Sequence, residues 1–265
     1  MHPVCLITGA SSGIGAALAR RIAASGQALA LTARRLDRLE ALAQELRQAH
    51  GVTVASIRCD LAQPDGAASL LETLRQRDLE VGTLVNNAGF GLRGDFTDAS
   101  WSDAAAMVQL MVTAPVQLCH GLLPAMQLAG SGTIVNVASL AGLIPGLPGS
   151  TLYSASKAFL IRFSQSLAAE NRATGVRVLS VCPGYVHTEF HAVLGVEKRM
   201  QRLPGLFWMD ADDLARRTLT ALEGQRPVLV PGSLNRTIAA LARLLPESAA
   251  GELSAGFSRR YRSRP

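Results

Sequence analysis

Lysine is almost missing from this chain. Only Lys157 and Lys198 account for lysine among 26 basic residues, which leaves 24 arginines and marks each lysine as a place where a guanidinium would not serve. Cysteine is sparse as well. Cys5, Cys59, Cys119 and Cys182 form no C-x-x-C pair, which excludes a zinc ribbon or a disulfide framework and leaves buried free thiols as the expectation. No apolar run reaches the length of a bilayer span, so no transmembrane segment is expected. Met1 to Ala10 carries no basic n-region before its strand-like residues, so no signal or transit peptide is expected. Charged residues stop at 17% while 48% are apolar and 24 are glycine, which excludes a disordered, fibrous or coiled-coil protein. The net charge of +6 is spread through helices, with one cluster in the terminal FSRRYRSRP. No reader motif accompanies it, so no nucleic-acid partner is expected. No repeat, low-complexity block or Pro/Ser-rich linker divides the chain. One cytoplasmic domain over residues 1–265 is the expectation, with a core that buries about three quarters of the surface exposed on unfolding.

Seven short apolar or β-branched runs are present: VCLIT, ALALT, VTVASI, TLVNN, GTIVNVAS, VRVLSVCP and PVLVP. Between most of them lie segments of helical period, such as Arg35 to His50 with Leu36, Leu39, Leu42, Ala43 and Leu46. That alternation predicts an α/β fold, a doubly wound sheet of about seven parallel strands with helices on both faces. Ligands then bind at loops on the carboxyl edge of the sheet, and the Gly/Pro-rich GLIPGLPG (142–149) reads as one of these.

Directly after the first strand comes TGASSGIG, containing Gly9, Ser11, Ser12, Gly13, Ile14 and Gly15, and then a helix-like stretch. A glycine-rich strand-to-helix turn lets the backbone approach a pyrophosphate, which helix N-terminal amides then hold. The second strand ends at Ala33-Arg34-Arg35, some 20 residues after the first glycine. A carboxylate there would accept hydrogen bonds from an adenosine ribose, whereas arginine pairs with a 2′-phosphate. A Rossmann-type cofactor site for NADP(H), preferred over NAD(H), follows, with Arg34 the better candidate and Arg35 the second.

Tyr153 and Lys157 are four apart on a helical segment continued by Phe159, Leu160, Phe163 and Leu167, so their side chains share a face. An ammonium beside a phenol favours the phenolate and makes the tyrosine a usable acid/base. Ser139, just beyond a strand, is placed to hydrogen-bond a substrate oxygen while a nicotinamide exchanges hydride.

Five motifs in order, TGASSGIG, Asn86-Asn87-Ala88-Gly89, Ser139, Tyr153-Ser154-Ala155-Ser156-Lys157 and Pro183-Gly184, resemble the short-chain dehydrogenase/reductase family over roughly residues 3 to 190. The glycine spacing is similar to the shorter single-domain members. The resemblance implies Ser139, Tyr153 and Lys157 as catalytic residues. It implies a cofactor cleft lined by the glycine turn, Asp60 and Leu61 near the adenine, and Asn87, Ala88 and Gly89. Pro183, Gly184, Val186 and Thr188 complete it, with Thr188 at the nicotinamide carboxamide. Ser139 and Tyr153 are 14 residues apart, one more than the family pattern, and the extra residue is expected in the intervening loop. A second departure is Met111, at a position where relatives usually carry an asparagine. The resemblance implies that this asparagine holds a water linking the lysine to solvent, a task a thioether cannot perform.

Several weaker signals are set lower. His187 and His191 flank Thr188-Glu189-Phe190 at a spacing that on a helix suggests metal binding, but the motif does not match H-E-x-x-H and no metal is expected. The stretch 190–210 is expected to be a substrate lid, and its Phe207 and Trp208 favour a small apolar carbonyl or alcohol. His120, in an apolar helical stretch, is expected to be packed. Residues 232–265 are expected to form a helix, with Leu234, Ile238, Leu241 and Leu245 as its stripe, and a basic tail. Packing or subunit contact in a homodimer or homotetramer is preferred for that helix over covering the pocket or peripheral membrane contact. The expected function is an NADP(H)-dependent carbonyl–alcohol oxidoreductase, the alternative a catalytically weakened NADPH-binding sensor or interaction protein.

Overall fold

Two hydrophobic layers explain why the predicted strands are apolar at nearly every position. The protein, seen as a computed structural model, is described for residues 3–146, 148–190, 203–245, 251, 252 and 256. Strands β1 (Val4–Thr8), β2 (Leu29–Ala33), β3 (Val54–Arg58), β4 (Val81–Asn86), β5 (Gly132–Val137) and β6 (Val176–Val181) pair in parallel. Two further strands, β7 (Tyr185–His187) and β8 (Trp208–Asp210), form a separate parallel ribbon, and β9 (Val228–Leu229) closes the main sheet in the order β3-β2-β1-β4-β5-β6-β9. Consecutive residues of β1 point to opposite faces. Cys5 and Ile7 pack with α1 (Gly13–Ala24) and α2 (Leu36–His50), while Val4 and Leu6 pack with α3 (Gly66–Gln76). The second face also receives Leu118 of a helix that spans Ala114–Leu128 and Leu167 of another spanning Thr151–Glu170.

Before the first of those two helices come α4 (Trp101–Val108) and a single π turn, Gln109–Thr113. They continue into α5 (Ala114–Leu128), and α6 (Thr151–Glu170) follows β5. The Ala114 amide donates to the Gln109 carbonyl five residues back, and Pro115 has no N–H to give to Met111. The continuous run Trp101–Leu128 corrects the sequence expectation in one respect, since it is long and apolar enough by composition to cross a membrane. Its Ala114, Leu118, Cys119 and Met126 are nevertheless buried against the sheet.

Helices α7 (Ala211–Ala221) and α8 (Ser233–Leu244) follow later in the chain. Three expectations change here. The β7–β8 ribbon has no counterpart in the sequence reading, because three-residue strands show no alternation. His120 is exposed on α5. The C-terminal helix exists, but Asn235 and Ala239 are its buried residues, and Leu241 and Leu245 of the predicted stripe are exposed. Residues 191–202, which hold His191 and most of the expected lid, lie outside the described residues, as does the FSRRYRSRP tail.

Candidate active site

The strand order reverses between β1 and β4, so the loops leaving these strands diverge and open a cleft at the carboxyl edge of the sheet. It has a volume of about 400 Å³. Of the predicted positions, Gly9, Ser11, Ser12, Gly13, Ile14, Arg34, Arg35, Asp60, Leu61, Asn87, Ala88, Gly89, Ser139, Tyr153, Lys157, Pro183, Gly184, Val186 and Thr188 all line it. Gly15 is buried behind the turn.

Two positions of the turn tolerate no side chain. Gly9 has φ +66°, the left-handed region, and a Cβ on it would stand 2.8 Å from the Ala88 Cα. A Cβ on Gly15 would stand 2.6 Å from both Asn87 Nδ2 and the Gly9 carbonyl. The turn is clamped from β4: Asn87 Nδ2 donates to the carbonyls of Thr8 (2.9 Å) and Gly9 (3.2 Å). The amides of Asn87 and Ala88 donate to Thr8 Oγ1. Ser12 precedes α1 without capping it, which leaves the first-turn amides available to an anion. A turn in which the backbone is bare at Gly9, Gly13 and Gly15, beside uncapped amides, fits a dinucleotide pyrophosphate.

At the adenosine end, Arg34 is exposed and makes no side-chain hydrogen bond among the described residues. Arg35 instead lies across the turn, donating to Ser11 Oγ (3.1 Å) and Ser12 Oγ (2.9 Å), and pairs with Glu189. Asp60 Oδ1 accepts the Ala62 amide at 3.1 Å. Arg38 and Glu189, neither singled out as a site residue from the sequence, are bonded to each other here. The signal for Arg38 was its place one helical turn beyond Arg34.

At the other end, α6 presents Tyr153 and Lys157 to the same opening. Lys157 is buried, its Nζ donates to the Val137 carbonyl at 2.7 Å, and it stands 5.7 Å from the Tyr153 ring centroid. Burial pushes its pKa down to about 8. Ser139 Oγ accepts the Ala141 amide at 3.1 Å in the 3-10 turn Leu140–Gly142, which holds the side chain at the end of β5. Met111 is buried, and a Cβ on Gly89 would meet both its Sδ and Lys157 Nζ at 3.8 Å, so both side chains reach Gly89. Beneath α6, Asn86 Nδ2 donates to Asn136 Oδ1 (2.9 Å), and Asn136 Nδ2 donates to Ser164 Oγ (2.8 Å). These bonds tie α6 to β4 and β5.

Beyond Tyr153 the cleft is lined by Phe90, Leu110, Ile144, Tyr185 and Phe190. Phe190 packs on the Tyr153 ring with centroids 5.6 Å apart. Trp208 does not line the cleft among the described residues; it stacks on His187 at 4.6 Å in the β7–β8 ribbon. His187 is therefore in a strand rather than a helix, and no group of three or more potential metal ligands occurs among the described residues.

Comparison with known proteins agrees with this geometry. Residues 3–198 match the family model for short chain dehydrogenase. A sulfoacetaldehyde reductase of Chromohalobacter salexigens is 45% identical over 197 residues, 73% of this chain and 76% of that protein. A short-chain dehydrogenase from Sphingobium yanoikuyae, solved in complex with NADPH, superposes with a TM-score of 0.82 at 35% identity and covers 96% of both chains. The bulky-bulky ketone specific alcohol dehydrogenase from Comamonas testosteroni gives 0.77 at 34% identity, over 92% of both chains.

Proposed function

Since the chain belongs to the short-chain dehydrogenase/reductase family, we propose that it is an NADP(H)-dependent enzyme interconverting an apolar ketone or aldehyde and its alcohol, with Tyr153 as acid/base. The observation that carries this reading is Lys157, buried beside Tyr153 at the mouth of the cleft that the glycine turn opens.

When bound, the nicotinamide supplies or accepts the hydride. The chain's own residues do the rest. The α1 amides and the turn from Gly9 to Gly15 would hold the pyrophosphate, and Arg34 and Arg35 supply positive charge for a 2′-phosphate. Ser139 Oγ orients the substrate oxygen, and the Tyr153 hydroxyl gives that oxygen its proton in reduction or takes it in oxidation. Lys157 favours the phenolate by its charge. Phe90, Leu110, Ile144 and Phe190 exclude water and select an apolar carbon skeleton. The two similar structures, one holding NADPH and one a bulky-ketone alcohol dehydrogenase, support cofactor and substrate class alike.

The same reading takes residues 1–265 as one dinucleotide-binding unit working in the cytoplasm, which the four free cysteines support. Exposed Trp101 and Phe159 on the adjoining α4 and α6 support assembly into a homodimer or homotetramer. A second reading, an NADPH-binding protein with weakened turnover, is favoured by Met111, buried next to Gly89 where relatives usually carry an asparagine. A screen of ketones, aldehydes and secondary alcohols followed by cofactor absorbance separates the two. The enzyme reading expects NADPH consumption with at least one apolar carbonyl; NADPH binding with no turnover on any compound would move the conclusion to the second.

A further inference from the structure

Residues 188–190 line the cleft and touch three of its parts. Thr188 lies on the glycine turn, where a Cβ on Gly13 would stand 3.0 Å from Thr188 Cγ2, and Phe190 lies on Tyr153. Between them, Glu189 turns its carboxylate onto two guanidinium groups. Oε2 accepts from Arg35 Nη1 at 3.1 Å and Oε1 from Arg38 Nη1 at 2.6 Å. The two arginines come from the end of β2 and the first turn of α2, the place where a cofactor's 2′-phosphate is read in this kind of cleft. Arg35 is further held on Ser11 and Ser12. A carboxylate bridging two guanidinium groups occupies donors that a phosphate also uses.

We propose that Arg38 joins Arg35 in binding the 2′-phosphate of NADP(H), and that Glu189 is an internal competitor for that pair, displaced when the phosphate arrives. This rests on the NADP(H) reading given above and adds residues to it. Hydrogen bonds from Arg38 and then Arg35 hold the Glu189 carboxyl below the usual carboxylate range, so the competitor stays charged at neutral pH. A phosphate monoester carries nearly two charges and three acceptor oxygens and can replace it. The 2′-hydroxyl of NADH cannot, so NADH leaves the Glu189 bonds in place. Glu189 therefore tempers the preference for NADPH. All three side chains are 42–49% exposed, so the bridge is weak enough to yield.

Calorimetric titration of the cofactor-free protein with NADPH, NADH and 2′,5′-ADP tests this without reference to turnover. Glu189→Gln should tighten NADPH and 2′,5′-ADP by about two- to five-fold, the range for an exposed pair. NADH should change less than about two-fold, and high salt should shrink the gain. Arg38→Ala should weaken NADPH and 2′,5′-ADP by about ten-fold, with NADH unchanged. Equal tightening of NADPH and NADH by Glu189→Gln would overturn the competitor role, as would no change. Unaltered NADPH affinity in Arg38→Ala would remove Arg38 from the site. In each of those cases a wild-type preference for NADPH leaves the cofactor reading intact. Equal wild-type affinity for NADPH and NADH would instead overturn that reading itself.

Discussion

Lys157 carries the most at the scale of single residues. Its ammonium is buried with one carbonyl partner, which is why its pKa falls to about 8. Between that value and the ordinary lysine range the unfolded chain binds more protons than the folded one, so this group makes stability rise with pH. Burial raises the thiols of Cys119 to about 12 and Cys182 to about 11, an effect of opposite sign at high pH. The comparison with Lys157→Met isolates the lysine. Urea unfolding of the cofactor-free protein should show wild type gaining stability relative to Lys157→Met between about pH 8 and 10; parallel curves would mean the ammonium is not desolvated. Arg34 is exposed, so its loss should leave the fold unchanged. Arg34→Ala should weaken NADPH by about 1 to 3 kcal/mol while leaving NADH nearly as it was, read by titration of both cofactors.

Among the elements, the π turn Gln109–Thr113 carries Met111 to the Gly89 side of the cleft. Pro115 removes one helical donor, and Met111, inside the turn, is buried with its Sδ 3.8 Å from the position of a Cβ on Gly89. Replacing the thioether by an amide restores a side chain able to hold water. Met111→Asn should therefore raise the steady-state rate and shrink the solvent isotope effect without tightening NADPH; no gain on any accepted substrate would make the position one of packing. The same scale shows what was readable beforehand. Strands β1 and β2 announce themselves because strands buried on both faces are apolar at nearly every position, as VCLIT is. The β7–β8 ribbon is held by Tyr185 and Trp208 rings across three-residue strands, too short to carry a period. In α8, helical spacing was legible but the buried side was not. Asn235 is buried because Gly184 has no side chain there, a contact set by distant residues.

For the molecule as a whole, the switch between β1 and β4 opens one cleft to loops that lie far apart in the chain. TGASSGIG, Asn87 and the Tyr153–Lys157 pair could be assigned to one cleft from the sequence because each motif carries its own chemistry. Glu189 could not, since a glutamate in H-T-E-F-H acquires meaning only when β7 delivers it to Arg35 and Arg38. The central claim is that one cleft joins an NADP(H) site to the Tyr153 proton donor. Tyr153→Phe tests it most directly, with NADPH binding and carbonyl-dependent NADPH oxidation followed on the same preparation. The account predicts that binding persists within a few-fold and oxidation falls by at least about 10²-fold. Oxidation at the wild-type rate in Tyr153→Phe would contradict it.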